Sequence, residues 1–473
     1  MATSLQRFRR RWYSLISTCT PLRQERNKPA AQPAAVLPPM QRLHSDLLAE
    51  IFTYCIPEMI DDDWRSCLIS NRNAPLLLCR VCSFWRSVAI STPRLWHTFI
   101  FEKCVFYDPE SKLKSLLRGI RTWLGRFGML PLTIRFLLYT NRDALITGAL
   151  KPLFEFSSRW DSILIEVSPQ VRWPAINVLL NLHDFHDRVL PMNVFSSTPA
   201  PNLKRLQVHS LPPNLTSVSK IPWNKLTGLI VTLEVPISAA LELFQSRPPP
   251  EKVSISVGSD DGGSGSLPPP SANRIKLDAL RWLWLYITPA SGIAVEYFTL
   301  PALEELHLGG ISTISEPYCY SQVLDLLTQS RCQLRKQVLM WSKFTSRQLL
   351  EYLKHPSCQT LVSLKVEEDD HGLGIFAVVG DEVLSPRTYS ERLCPKLADL
   401  SFKLCYRSES SLLDGALGRM VQSRCFGRAL DEQLKSLDLV TRYPISRKDI
   451  KLLELAREKG GLKLSYSSGP KKT

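Results

Sequence analysis

The cysteine and histidine pairs of this chain are the residues whose types and spacing come nearest to a metal or redox site. Cys79 and Cys82 form a Cys-x-x-Cys pair, and His183 and His186 stand beside aspartates in the segment NLHDFHD. A structural zinc ion takes four ligands, commonly from two such pairs, and no second ligand pair stands at zinc spacing from either. We therefore predict no metal site, and we interpret the histidine segment as the polar end of a helix.

Motifs for catalysis are also missing from the sequence. It contains no phosphate-binding G-x-x-x-x-G-K-[ST] loop, no G-x-G-x-x-G and no G-x-S-x-G. Acidic residues are scattered along the chain and do not form an obvious catalytic pair. We predict a non-catalytic protein with no catalytic residues and no cofactor. A Ser/His/Asp set dispersed along the chain stays open.

The formal net charge of +15 is concentrated at the two ends of the chain. Residues 1–28 carry seven Lys or Arg against one acid, and residues 441–473 carry nine against three. The middle is therefore nearly neutral, so the charge does not favour nucleic acid as the main partner. We interpret residues 1–36 as a basic arm with a Pro/Ala linker, and residues 466–473 as a basic tail. A mitochondrial transit peptide is the alternative for the arm.

Composition indicates a folded protein of a reducing compartment. The hydrophobic fraction is 44%, and the twelve cysteines are irregularly spaced, unlike a secreted disulfide framework. No run approaches the roughly 18 apolar residues of a membrane-spanning helix. We predict a soluble protein without a membrane partner, located in the cytoplasm, the nucleus or both.

Three helices are predicted within about 50 residues of the N-terminal half. In LHSDLLAEIFTYCIPE, the apolar residues recur at helical spacing, with Ser45 as the N-cap and Pro57 as the stop. A short apolar helix is expected over Ala74–Arg80, and another begins at Val81. Three short helices make a small core, and a partner surface would extend it.

The segments LHSDLLAEIFTYCIP and APLLLCRVCSFWRSVAISTPRLWHTF together resemble the F-box of fungal F-box proteins. The shared features are the leading leucine, the L-L-x-x-I-F helix, a variable loop, V-C-x-x-W-R and P-x-L-W. The resemblance implies docking to the Skp adaptor and, through it, to a cullin. Many F-boxes have proline where this chain has His44 after Leu43, and this departure leaves the strength of adaptor binding open.

The resemblance also implies which residues face the adaptor or form the F-box core. Carried over residue by residue, the set is Leu43, Leu47, Leu48, Ile51, Phe52, Val81, Cys82 and Trp85. Trp85 is the expected anchor, since large aromatic side chains dominate interface energetics. Cys82 takes the place of a small buried cysteine, and Cys79 is expected in the core as well. For each residue, packing inside the three-helix unit is the alternative.

Ten strand-like segments follow, most with the pattern x-L-x-x-L-x-φ, where φ is apolar. They are PLTIRFLL, DSILIEV, PNLKRLQV, NKLTGLIV, EKVSISV, DALRWLWL, PALEELHL, QTLVSLKV, PKLADLSF and EQLKSLDL. Their anchor residues lie 23 to 27 apart at Leu203, Leu226, Val253, Leu280 and Leu303, and 36 to 37 apart at Leu361, Leu397 and Leu434. Helical patterns lie between several of them, including ISAALELFQSRP, YSQVLDLLTQSRC, TSRQLLEYLKHPSC, SLLDGALGRMVQSRC and RKDIKLLELAREK.

A short strand, a turn and a helix at this period predict a leucine-rich-repeat solenoid. The predicted fold is an α+β or α/β solenoid, with a small three-helix F-box at 37–101 and an irregular leucine-rich-repeat-like β-α array at 102–465. An α/β domain with an ordinary sheet is the alternative. The expected function is substrate recognition for a Skp–cullin–F-box ubiquitin ligase, with a protein substrate that the sequence does not name. An F-box scaffold outside the ligase and a basic nucleic-acid binder stay as alternatives.

Overall fold

The computed structural model of the chain describes residues 43–56, 73–104, 110–167, 173–174, 176, 179–187, 194–211, 220–258, 274–287, 293–310, 320–340, 344–368, 379, 383, 393–404, 415–426, 432–441 and 445–468. The predicted arm at residues 1–36 lies outside this range, as do the last five residues of the predicted basic tail. The chain divides into two compact units. One comprises Met1–Leu203 with Ser217–Pro222, and the other comprises Lys204–Thr216 with Trp223–Thr473. The predicted boundary after residue 101 stays a prediction.

The first unit combines helices with a parallel sheet. Its helices are α1 (Ser45–Thr53), α2 (Ser83–Ser91), α3 (Glu110–Leu124), α4 (Asp143–Phe154) and α5 (Val194–Ser197). Its strands are β1 (Thr98–Cys104), β2 (Leu132–Tyr139), β3 (Trp160–Val167) and β4 (Asp184–Asp187). The four strands pair in parallel and in chain order.

Two of the three predicted N-terminal helices are present, as α1 and α2. The third, expected over Ala74–Arg80, is instead a turn followed by one 3₁₀ turn at Leu78–Arg80. Its backbone bonds are partly of the tighter i→i−3 kind, such as Arg80 N–H to Leu77 O at 3.0 Å. A segment this short, opened by a proline without an N–H, gains too few bonds to propagate an α-helix.

The second unit is also an α/β arrangement. Its strands are β5 (Arg205–Val208), β6 (Gly228–Pro236), β7 (Lys252–Gly258), β8 (Ile275–Lys276), β9 (Trp282–Ile287), β10 (Phe298–Thr299), β11 (Glu305–Gly310), β12 (Lys336–Met340), β13 (Ser363–Glu367), β14 (Asp399–Leu404), β15 (Ser436–Thr441) and β16 (Lys463–Ser468). Its helices are α6 (Ile237–Ser246), α7 (Tyr320–Ser330), α8 (Ser346–Lys354), α9 (Ala416–Cys425) and α10 (Arg447–Gly460).

A long parallel sheet organises this unit, and its strands succeed one another in chain order. Among the described residues it contains ten strands, from β5 to β16, without β8 and β10, which pair only with each other. Parallel neighbours need a connection that returns across the sheet, and helices provide several of these returns. The α/β class expected from the sequence is therefore confirmed.

The same backbone connection recurs from one strand to the next. Glu251 O accepts the N–H groups of Arg281 and Trp282 at 2.9 and 3.0 Å. Arg281 O in turn accepts those of Glu304 and Glu305, both at 2.9 Å. An i→i−3 turn also precedes several strands, with N–H to O bonds from Leu280 to Leu277, Leu303 to Leu300, Leu361 to Cys358 and Leu397 to Cys394 at 3.1–3.3 Å.

The core of the second unit lies between the sheet and its helices. Alternate side chains of β7 and β9, such as Val253, Ile255 and Leu283, line one apolar interior with Phe244 of α6 and Leu326 of α7. Strand side chains alternate between faces, so the intervening residues lie on the opposite face of the sheet. The predicted leucine pattern thus corresponds to the face that helices cover.

The ten predicted strand segments each contain a strand, and the five predicted helical segments each contain a helix. The prediction that the histidine segment NLHDFHD is the polar end of a helix was wrong, because Asp184–Asp187 forms strand β4. His183 precedes that strand, and its N–H donates to Asp161 O at 2.8 Å. The alternation of polar and apolar residues in DFHD is a strand pattern that is short enough to be overlooked. Within the described residues, no helix has the length and apolarity needed to cross a membrane.

Candidate protein-docking surface

Helix α1 has one buried face and one exposed face. Leu48 and Phe52 are fully buried, whereas the side chain of Leu47 is 59% exposed and that of Tyr54 is 51% exposed. Ile51 lies between these two exposed residues and is half-buried. Residues 47, 51 and 54 are spaced by four and three positions, and Tyr54, the C-cap of α1, keeps helical φ and ψ angles of −72° and −13°, so the three share one face. We call this set the α1 face.

His44 begins the helix in place of the predicted cap, Ser45. Its backbone lies at φ −59° and ψ 144°, outside the helix, and its Nδ1 accepts the N–H of Asp46 at 3.4 Å. Ser45 is the first helical residue. The residue that departs from the F-box pattern therefore has a local role, because it satisfies a backbone donor at the helix end.

Helix α2 is held against α1 by aromatic packing. The rings of Trp85 and Phe52 lie 5.0 Å apart between centroids, and Trp85 is only 4% exposed. Val88 and Ala89 of α2 are buried as well, whereas Arg86 and Ser87 are exposed, as the periodicity predicts. Trp85 therefore packs in the core of this unit, as the alternative for these residues holds, and its role as an anchor for the adaptor stays a prediction.

The two cysteines have different local roles from those expected. Cys82 is half-buried and is the N-cap of α2, with its Sγ accepting the N–H of Trp85 at 3.4 Å. Cys79 is half-buried too, and its carbonyl accepts Nε–H of Arg86 at 2.8 Å. Burial raises the pKa of the Cys79 thiol, which opposes the thiolate form that zinc requires.

The Pro-x-Leu-Trp motif connects α2 to the elements that follow. Trp96 is fully buried, and its Nε1–H donates to Ala89 O of α2 at 2.8 Å. Trp123 of α3 donates its Nε1–H to Trp96 O at 3.1 Å. The guanidinium of Arg126 lies 4.5 Å from the centre of the Trp96 ring. Trp96 thereby connects α2 to α3 within the first unit.

The eight residues singled out in the sequence separate into three groups. Leu48, Phe52 and Trp85 are buried; Leu43, Ile51, Val81 and Cys82 are half-buried; Leu47 is exposed. The sequence analysis missed Tyr54, which extends the exposed face by one turn. Its position, three residues after Ile51 and seven after Leu47, was the signal that could have found it.

The histidine segment does not form a metal site in the part of the chain that the structure describes. Nδ1 of His183 lies 2.7 Å from Asp161 Oδ1, an ion pair or hydrogen bond that depends on the proton of the ring. Across the described residues, no group of three or more His, Cys, Asp or Glu side chains could hold a metal ion. No protein-family model and no curated protein matches this chain.

Proposed function

We propose that this protein is the substrate-recognition subunit of a Skp–cullin–F-box ubiquitin ligase. The observation that supports the proposal is the α1 face, where Leu47, Ile51 and Tyr54 form an apolar stripe on a helix whose other face is buried. An apolar helix stripe suits docking into a groove of another protein. Burying one fully exposed large apolar side chain contributes about 1.5–3 kcal/mol, and Leu47 and Tyr54, each more than half exposed, have the most surface to bury in such a contact.

The proposal includes a leucine-rich-repeat solenoid as the part that binds the substrate. Its support is the parallel strands in chain order and the repeated backbone bonds between consecutive strands. In a solenoid each unit buries its apolar face only against its neighbours, which accounts for leucines at a regular period. The large, open sheet of such an array is a surface on which a protein target can bind.

The proposed mechanism is proximity, without chemistry by this chain. The α1 face binds the Skp adaptor, which connects the chain to a cullin and to a charged ubiquitin-conjugating enzyme. The repeat region binds the target, so a lysine of the target is held at a high effective concentration near the enzyme. The resulting function requires two separate surfaces on one chain.

A pull-down with a double variant of α1 tests the proposal. We expect the full chain to capture the Skp adaptor and a cullin from cell extract, and Leu47→Asp with Ile51→Asp to abolish capture, because two carboxylates cannot enter an apolar groove. Met129→Asp is the matched control, since Met129 is 88% exposed and lies outside α1. Capture retained by a folded double variant would contradict the proposal, and adaptor without cullin would favour the scaffold alternative.

A further inference from the structure

A groove of about 730 Å³ borders the α1 face within the first unit. It opens between the C-terminal half of α1 and the beginnings of strands β1, β2 and β3. Tyr54 belongs both to the α1 face and to the lining of this groove, so the exposed surface of the helix continues into it. We call this feature the α1–sheet groove.

Leu130 and Pro131 form the wall of the α1–sheet groove that faces α1. Gly128 turns the chain before them with a φ of +60°, and the N–H of Leu130 donates to Phe127 O at 3.4 Å. Arg159 donates its Nη2–H to Leu130 O at 3.1 Å, and its guanidinium lies 4.6 Å from the centre of the Phe127 ring. These contacts preform the wall, which lowers the entropy cost of binding there.

The beginnings of three strands form the floor of the α1–sheet groove. Thr98 and Thr133 pair in register on β1 and β2, and both line the groove. The register between β2 and β3 shifts at this point, so that Asp161 is an extra residue of β3 and lines the groove as well. A β-bulge of this kind redirects a side chain and is over-represented beside functional sites. The floor therefore presents two hydroxyls and a carboxylate.

Charged groups of both signs line the α1–sheet groove beside its apolar residues. Glu50 of α1 lies 3.6 Å from Arg94, and both side chains are more than half exposed. Asp161 lies 2.7 Å from His183, and Nδ1 of His97 lies 2.6 Å from Arg94 O. Pockets for small molecules are mostly apolar and enclosed, whereas the margin of a protein interface is polar and open. This mixed, open lining therefore suits a segment of another protein.

The α1 face alone is too small for a stable complex with the adaptor. A specific protein interface buries about 800 Å² of each partner over roughly 20–30 residues, whereas the α1 face consists of Leu47, Ile51 and Tyr54. A partner that docks on this stripe must therefore cover neighbouring surface too. The α1–sheet groove is the concave surface that shares Tyr54 with the stripe.

We propose that a segment of the Skp adaptor fills the α1–sheet groove, with a large apolar side chain between Tyr54 and Leu130 and polar backbone groups over Thr98 and Thr133. Threonine hydroxyls donate and accept hydrogen bonds, so they can satisfy an N–H or a C=O of the bound segment. The proposal rests on the proposed function, and it adds the strand-bearing part of the first unit to the adaptor site.

Calorimetry of the full chain with the purified Skp adaptor tests the proposal. Two variants alter the groove outside α1: Leu130→Asp places a carboxylate in its wall, and Thr133→Arg fills its floor with a long side chain. We expect each variant to weaken binding at least about tenfold. Met129→Asp is the matched control, because Met129 precedes Leu130, is 88% exposed and does not line the groove. It should change affinity less than about twofold.

Wild-type affinity of both folded groove variants, or an equal loss in Met129→Asp, would overturn the proposal. Hydroxyl-radical footprinting of the wild-type complex decides the question if the groove variants unfold by circular dichroism. We expect the adaptor to protect Leu130 and Pro131 and to leave Met129 reactive, and unprotected Leu130 and Pro131 would overturn the proposal. Failure of the proposed function is distinguishable, because the folded wild-type chain would then not bind the adaptor, or Leu47→Asp would bind it equally well.

Discussion

Adjacent residues of this chain have opposite roles, and Leu47 and Leu48 are the clearest pair. Leu48 is fully buried, whereas Leu47 is 59% exposed, although both belong to the same apolar pattern. A helix rotates by about 100° per residue, so neighbouring leucines cannot both face one small core. The sequence predicts both as a set, but only the packing of α2 against α1 determines which of them is free to contact a partner.

Close contact between α9 and α10 depends on Gly418. Its N–H donates to Asp449 Oδ1 at 2.7 Å, and a Cβ added there would lie 2.6 Å from Leu452 Cβ. We expect Gly418→Ala to lower the free energy of unfolding by about 1–3 kcal/mol, because α10 must move away. Gly119→Ala is the control, since nothing lies within 4 Å of its Cβ, and helix propensity predicts a gain of about 0.5–1 kcal/mol. Equal effects in urea unfolding would contradict this packing.

Protonation of His307 should make the protein sensitive to acid. The pKa of His307 is lowered to about 4, chiefly by burial and then by Lys336, while Glu305 opposes the shift. The unfolded chain therefore binds the proton more readily, and stability falls as the pH decreases from about 6.5 to about 4. Phenylalanine cannot titrate, so we expect the free energy of unfolding of His307→Phe to decrease by about 1–2 kcal/mol less than that of the wild type between these pH values. Chemical unfolding at each pH measures this difference. An unchanged pH dependence would contradict it.

At the scale of elements, Trp96 explains why the Pro-x-Leu-Trp motif follows α2. Its side chain bonds α2 through Ala89 O, and its backbone carbonyl accepts a bond from α3. The motif therefore joins the N-terminal helices to the sheet-bearing part of the first unit. These contacts attach the helices that include the α1 face to the rest of the first unit.

The variant Trp96→Phe measures how much the hydrogen bond from Trp96 Nε1–H to Ala89 O contributes to stability. The variant removes the Nε1–H bond and leaves Ala89 O with only the long bond from Thr92 N at 3.4 Å. We expect it to destabilise the chain by about 1–2 kcal/mol more than Trp160→Phe in thermal unfolding. Trp160→Phe is the control because Trp160 is equally buried, so both variants lose the same ring volume. The Nε1–H of Trp160 has no hydrogen-bond partner among the described residues, so only Trp96→Phe also loses a hydrogen bond. Equal destabilisation would show that the bond to Ala89 contributes nothing.

The elements that the sequence predicted share one property, which is a repeated apolar pattern on the core side, usually of leucine but of valine and isoleucine in β7. The missed strands lack it. In β12 the core position held by leucine in its neighbours is Gln337, which is buried and accepts the Tyr352 hydroxyl at 2.6 Å. In β16 the core-side Tyr466 is 46% exposed, so little apolar pattern is needed there.

At the scale of the whole molecule, the proposed function requires two separate binding surfaces on one chain. The α1 face belongs to the first unit, and the parallel strands from β5 to β16 belong to the second. The proposed receptor needs both, one for the adaptor and one for the target, and each can be altered without touching the other.

Calorimetry with the purified Skp adaptor tests the central claim most directly. We expect a one-to-one complex with a Kd at or below about 1 μM and a negative heat-capacity change, because apolar surface is buried. Leu47→Asp, at an exposed position, should weaken binding at least about tenfold, which is 1.4 kcal/mol, without lowering the thermal midpoint. The absence of binding by the folded wild-type chain, or equal affinity of the Leu47→Asp and wild-type chains, would contradict the account.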